Sequence, residues 1–309
     1  METVTVARHA MATRFEIVLH GANPVALRSV AEGVLDEIER IENVLSLFKP
    51  SSEVAHLNAS AAREPVRVTP ELFRLIEQSQ RLNIETDGAF DLTVGPLTRT
   101  WKLAGERRVV PDEATLHEAR AQTGMQLLEL DAASSTVRFL REGVSLDFGA
   151  IGKGYAIECV IALLREAEIE SALVHGGTST VGTIGVQPDG QPWRIAIEYP
   201  DSPTANLADP SHTLIATTAL HDESLSVSAV WGKSFVADGK EYGHVVDPRT
   251  GLPTNTAQLA AVILPSATET DALSTALLVS GVQGIEVLRR LRRGIRTLIW
   301  ADGQTFSNL

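Results

Sequence analysis

Cysteine is nearly absent from this sequence: 309 residues contain one, Cys159. A lone thiol excludes an intrachain disulfide framework. Its place in an apolar, helix-like run marks it as a small buried hydrophobe rather than a nucleophile. Basic charge is also short. Lys and Arg number 27 against 39 acids, a net charge of −12, which argues against a nucleic-acid partner because phosphate backbones are bound by basic surfaces. If an acidic chain of this kind carries a phosphate site, help from a metal cation is expected there. No apolar run reaches the roughly 18 residues of a membrane span. The N-terminus METVTVARHA has no basic stretch followed by an apolar one, so no signal peptide is visible and a cytoplasmic location is expected. Repeats, low-complexity tracts and a clear linker are missing too. The expectation is one domain over residues 1–309, or two interlocked lobes.

What is present suffices for a large core: 44% of residues are hydrophobic and 21% charged. Thr3–Ala7 and Arg14–His20 alternate like strands. Asn23-Pro24 opens a helix, whose stripe of Val30, Val34, Ile38, Ile41 and Leu45 runs to about Phe48. Further helices are predicted from Thr69-Pro70, over Pro111–Gln122, over Lys153–Glu168, from near Thr270, and in a segment ending near Gly294. Strands are predicted over Thr136–Leu140, Gly143–Asp147, several runs between Ser171 and Ser228, Leu259–Pro265 and a final RTLIWAD. Asp189-Gly190 reads as a hairpin turn, and Pro200–His212 as a loop. Helices and strands mix without strict alternation, so the predicted class is α+β, with a mixed or mostly antiparallel sheet and flanking helices.

Four segments carry chemistry. GAFDLTVGPL (Gly88–Leu97) is a glycine-bounded loop in which Asp91 and Thr93 offer an acceptor and a hydroxyl; it could equally be a capped loop-to-helix junction. LDFGAIGKGYAIE (Leu146–Glu158) reads as a strand, a turn with Gly149, Gly152 and Gly154, and a helix. That geometry aims free amides and a positive helix end at one point, which suits a phosphate, with Lys153 adding charge. It could also serve only tight packing. HVVDPRTG (His244–Gly251) is a turn preceded by a histidine able to take a proton from a hydroxyl near neutral pH. TDALSTAL (Thr270–Leu277) places Asp271, Ser274 and Thr275 on one helix face. Their oxygens are hard ligands of the kind Mg²⁺ takes, although Asp271 could instead cap the helix.

Together and in this order, the four segments resemble those of the ApbE family of FAD:protein FMN transferases. Met11-Ala12-Thr13, LSLFKPSSEVAHLN (Leu45–Asn58) and Gly176-Gly177 extend the likeness from about Met11 to Gly281. The resemblance implies an α+β fold with FAD in a cleft and Mg²⁺ at its pyrophosphate. It implies metal ligation by the Ala150 carbonyl, Asp271 and Thr275, with Ser274 as a further candidate. It implies FAD contacts from Met11, Phe48, Ala89, Phe90, Asp91, Asp147, Lys153 and Val245, and His244 as the base or as the group that orients the acceptor hydroxyl. The implied reaction moves FMN from FAD to a Thr or Ser hydroxyl of an acceptor protein and releases AMP. The chain departs from the family pattern in several places. Ala12 replaces the commoner glycine and Phe48 a tyrosine, His175 and Thr178 flank the glycine pair, and a Thr-Ser-Gly-like signature reads Val227-Ser228-Ala229. Two alternatives stand beside the transferase: an FAD pyrophosphatase using water at the same site, and a non-catalytic FAD-binding protein.

Overall fold

The computed structural model describes residues 1–101, 109–199, 214–230, 235–237 and 239–309. The chain opens with a hairpin of β1 (Glu2–Ala10) and β2 (Thr13–Gly21). α1 (Pro24–Leu45) follows, capped by the Asn23 side chain, and ends one turn before the predicted Phe48. α2 (Glu53–Ser60), capped by Ser52, is a helix the sequence reading did not find. β3 (Val66–Arg67) leads to α3 (Pro70–Glu85), capped by Thr69. Next come α4 (Gly95–Thr100), α5 (Glu113–Ala121), β4 (Leu128–Asp131) and β5 (Thr136–Phe139).

α6 (Gly152–Glu166) introduces β6 (Ala172–Gly176), β7 (Thr180–Ile184), β8 (Trp193–Glu198), β9 (Leu214–Leu220) and β10 (Ser224–Ala229). β11 (Phe235–Ala237) and β12 (Lys240–Tyr242) form a small ribbon. β13 (Leu259–Leu264), α7 (Ala267–Ser280), α8 (Gly284–Leu291), β14 (Arg296–Ala301) and β15 (Gln304–Ser307) complete the chain.

Eight strands form the main sheet in the order β1-β2-β6-β7-β10-β13-β14-β15. Every neighbouring pair is antiparallel. α1, α6 and α7 pack on one face. The ribbon of β8 and β9 covers part of the other, where Trp193, Ile197 and Leu220 meet Val181, Leu225, Leu259 and Ile263. β13 is therefore buried on both sides, which explains its unbroken apolar reading. α7 is apolar around its circumference for the same reason, lying between α6 and strands β10 and β13. The stretch Ala267–Leu291 has the length and composition of a membrane-crossing helix, yet it is a core element here. The apolar cluster under the helices continues into the three-stranded sheet β3-β5-β4 through Val66, Val137 and Phe139.

Several expectations need correction. Gly143–Asp147 is not a strand: it runs as irregular backbone, because its partners are a side chain and loops. Asn58 pairs with Leu146 through both its amide oxygen and nitrogen, at 2.8 and 3.0 Å. Asp189-Gly190 does form a turn, with Gly190 at φ 78°. It joins strands of different sheets, however, since β7 pairs with β6 and β10 while β8 pairs with β9. The predicted loop Pro200–His212 lies outside the described residues. Cys159 is partly buried, and burial pushes its thiol up to about 11, which fits an inert packing residue.

Candidate active site

The helix starting near residue 270 begins earlier than predicted, and this decides the reading of Asp271. Ser266 is the cap of α7: its hydroxyl accepts the Glu269 amide at 3.2 Å. Glu158 of α6 accepts from the Ser266 hydroxyl at 2.6 Å and from the Thr268 amide at 2.8 Å. The α7 amides thus have their acidic partner already, and Asp271, a turn further in, is not a cap. It is also not at a solvent-accessible helix start, since only 4% of it is exposed.

Instead, Asp271 faces the glycine turn before α6. Its Oδ2 accepts from the Gly154 N–H at 2.9 Å, and its Oδ1 lies 3.5 Å from the Thr180 hydroxyl and 3.9 Å from Lys153 Nζ. Gly154 is the third residue of α6, so its N–H is one of the donors that a helix start leaves without an intrahelical partner; Asp271 takes it. α6 and α7 cross closely at this point. A Cβ on Gly154 would sit 2.1 Å from the Ala267 carbonyl oxygen, so only glycine fits.

On the next turn of α7, Ser274 is fully buried and Thr275 partly so. Both meet Ser228 of β10, whose hydroxyl lies 2.8 Å from Ser274 Oγ and 3.1 Å from Thr275 Oγ1. Of the predicted metal set, Asp271, Ser274 and Thr275 therefore gather where α7 meets α6 and β10, with Lys153 beside Asp271 and Ala150 in the turn that leads into α6. The donor set is a single carboxylate with neutral oxygens. Among the described residues no three His, Cys, Asp or Glu side chains gather as a metal cluster. One carboxylate and several neutral oxygens fit a hard cation that keeps water and substrate oxygens in its shell.

The other predicted residues fall into two neighbouring groups. Asp91 is buried and accepts from the Thr93 amide at 2.7 Å, the Thr93 hydroxyl at 2.5 Å and Asn83 at 3.1 Å. Burial nevertheless raises its carboxyl above the ordinary range, outweighing these bonds. The Asp147 amide donates to the Leu92 carbonyl at 2.7 Å, and its side chain receives the Gly149 amide at 2.8 Å. Burial raises Asp147 as well, against the lowering influence of the Gly149 amide and of Arg99. The first two motifs are thus joined directly, and Gly95 packs against Ser145.

Ala89 and Phe90 are both 1% exposed and belong to the core, so contacts from them would have to be backbone. The HVVDPRTG turn is clamped from below: Trp101 Nε1 donates to the Gly251 carbonyl at 2.8 Å and Arg120 to the Arg249 carbonyl at 3.1 Å. The Val245 carbonyl accepts the Thr254 amide at 2.8 Å, and His244 is partly buried. A cavity of about 450 Å³ separates this turn from the first motif, with Asn83, Gly88, Asp91, Arg120 and Arg249 on its walls. It does not include Lys153 or Asp271.

Met11 and Phe48 mark a different corner. Glu42 accepts the Met11 amide at 2.7 Å and Lys49 Nζ at 2.6 Å. Phe48, beside Lys49, stands 79% exposed, an aromatic face open to a ligand. Met11 and Ala12 both have positive φ, 50° and 58°. Such a two-residue turn between strands favours glycine, which explains why the family pattern has glycine where this chain has Ala12.

Sequence reading gave Thr180 and Glu158 no role at the site, and Ser228 entered it only as the middle of the altered signature Val227-Ser228-Ala229.

A family model described as the ApbE family matches residues 11–299. A curated relative from Klebsiella pneumoniae, named FAD:protein FMN transferase, is 32% identical over 85% of this chain and 79% of its own length. One of the same name from Escherichia coli K12 is 28% identical over 99% of this chain and 86% of its own. Among solved structures, the ApbE protein of Thermotoga maritima is 29% identical with a TM-score of 0.87, covering 99% of this chain and 97% of that one. The apo flavinyl transferase ApbE of Pseudomonas stutzeri, also 29% identical, superposes at 0.85 over 99% and 95%. By sequence along nearly its whole length and by fold, this chain belongs to the ApbE family.

Proposed function

We propose that this chain is an FAD:protein FMN transferase that uses Mg²⁺ to move FMN from FAD onto a Thr or Ser hydroxyl of an acceptor protein. The observation that carries this reading is the seat of Asp271 on the first turn of α6, 3.9 Å from Lys153. It puts a carboxylate, a cationic side chain and a helix N-terminus at one place, the equipment for holding a diphosphate against a metal.

In the reaction, the acceptor hydroxyl oxygen forms a bond to the phosphorus on the FMN side of FAD. The bond from that phosphorus to the bridging oxygen breaks, AMP leaves with the bridging oxygen, and the hydroxyl proton passes to a base. Lys153, at the start of α6, holds the pyrophosphate. Asp271, Thr275 and the Ala150 carbonyl would hold the metal. Held there, Mg²⁺ would supply charge neutralisation for the leaving phosphate. His244 takes the proton from the acceptor hydroxyl. The exposed Phe48 ring offers a stacking face for the isoalloxazine.

The test incubates the protein with FAD, Mg²⁺ and a peptide or domain carrying a flavinylation motif. A fluorescent acceptor band with equimolar AMP is the expected outcome. FMN and AMP released at the same rate with and without acceptor, with no labelled band, would make the chain a pyrophosphatase instead. Intact FAD recovered from a tight complex would make it a carrier. His244→Ala should slow label transfer about 10²–10⁴-fold, the range of general-base catalysis, while FAD affinity stays within about twofold; equal loss of both would assign His244 to binding.

A further inference from the structure

β10 alternates in a revealing way. Leu225, Val227 and Ala229 turn to the apolar layer under β8 and β9. Ser226 and Ser228, on the opposite face, turn to α7, where a core strand would ordinarily carry aliphatic residues; Ser224, on the same face, bonds the Pro265 carbonyl just before α7. Ser226 pairs with Thr270 at 2.9 Å, and both are fully buried. Ser228 pairs with Ser274 and Thr275, and here Ser228 and Thr275 are partly exposed. The serine face thus runs from sealed core to the edge of the site.

In this group either hydroxyl of each pair could be the donor, and the distances favour one order. Each hydroxyl has one proton and two lone pairs. Ser274 lies 3.0 Å from the Asp271 carbonyl, a normal donor distance, whereas Thr275 lies 3.4 Å from the same oxygen. Ser274 therefore donates to Asp271 and has lone pairs left to accept. The single proton of Ser228 goes to its shorter contact, Ser274, at 2.8 Å. Ser228 then accepts from Thr275 at 3.1 Å. The chain of donors runs Thr275 to Ser228 to Ser274 to the Asp271 carbonyl, and each link polarises the next. It leaves the Thr275 oxygen with its proton turned inward and its lone pairs outward.

We infer that Ser228 is a positioning residue for the metal site: by accepting the Thr275 proton it presents the Thr275 oxygen as a cation ligand, and Ser274 is a relay in this chain rather than a ligand. A hydroxyl can ligate a cation only through an oxygen whose proton points elsewhere, and Ser228 supplies that elsewhere. This rests on the reading of Asp271 and Thr275 as metal ligands.

The test measures Mn²⁺ binding by electron paramagnetic resonance of the free ion, on the full chain with FAD and no acceptor. FAD affinity in EDTA is measured in parallel. Ser228→Ala should weaken Mn²⁺ binding at least tenfold and leave FAD affinity in EDTA unchanged. Ser228→Thr, which keeps the hydroxyl, should restore binding to within about threefold. Ser226→Ala removes a comparable buried pair one rung away and should leave Mn²⁺ affinity as in the wild type. Wild-type affinity in Ser228→Ala, or an equal loss in Ser226→Ala, would overturn the inference. Should Ser228→Ala not fold, Ser228→Cys decides: unaltered Mn²⁺ affinity with this poorer acceptor would overturn it equally. A wild-type protein that binds no Mn²⁺ with FAD present would instead sink the metal reading itself.

Discussion

The Asp271 carboxylate accepts the Gly154 backbone N–H at 2.9 Å across 117 residues of sequence. Through this bond one side chain holds two helices together and stands at the N-terminal end of one of them. The same group is thus asked to do structural and chemical work, and the two can be separated by substitution.

Asp271→Ala removes the acceptor and leaves the buried Gly154 amide unsatisfied, at a cost of about 1–3 kcal/mol. Asp271→Asn keeps an oxygen of the same shape and loses the charge. We expect the alanine variant to be both unfolded at lower denaturant and inactive. The asparagine variant should lie within about 1 kcal/mol of wild type in a urea titration yet lose Mg²⁺-dependent FMN transfer. Full transfer activity in Asp271→Asn would remove Asp271 from the metal site.

Gly154→Ala tests the helix crossing directly. The added methyl meets a backbone oxygen, not a side chain that can swing away. Overpacking of this kind costs typically 1–3 kcal/mol, and the expected denaturation midpoint is correspondingly lower. A midpoint equal to wild type would mean that α6 and α7 are further apart than described.

Ala12→Gly should act in the opposite direction. At φ 58° an alanine pays a steric penalty that glycine does not, partly offset by the greater freedom of glycine in the unfolded chain. A net gain of about 0.5–1 kcal/mol in urea unfolding is expected. A loss would show that the hairpin turn has a different conformation in solution.

The buried carboxyls set a pH signature. Asp91 and Asp147 are both raised above the ordinary value near 3.9. The folded protein therefore binds their protons more tightly than the unfolded chain does. The stability they contribute is complete below the unfolded value and is lost as pH rises through the folded ones. Asp147→Asn retains an oxygen for the Gly149 amide and removes one of the two titrations. It should be more stable than wild type at pH 7, with a flatter urea midpoint between pH 4 and 7. An unchanged profile would show that Asp147 ionises without penalty.

Local patterns in the chain carried much of this molecule. The Asn23 and Thr69 caps, the 3.6-residue stripe of α1 and the alternation of β1 and β2 come from near neighbours, so a linear reading finds them. The motif order identified the family, because motifs of that kind depend on short-range turn geometry. Where a boundary rested on distant partners, the reading slipped. Gly143–Asp147 alternates like a strand, yet its hydrogen bonds go to the side chain of Asn58 and to loop backbone. Asp189-Gly190 is a real turn, but the strands after it pair elsewhere.

The site divides in the same way. Sequence alone determined which chemistry was available: one carboxylate and two hydroxyls on a helix face, a lysine after a glycine turn, a histidine before another. Tertiary structure alone decided what each group faces. Glu158 of α6 and Ser266 satisfy the start of α7, which releases Asp271 from capping and lets it reach Gly154. Ser228 on a strand across the core collects Ser274 and Thr275. The reason is physical: a buried polar group must find a partner, and which partner it finds depends on how elements far apart in the chain pack against one another.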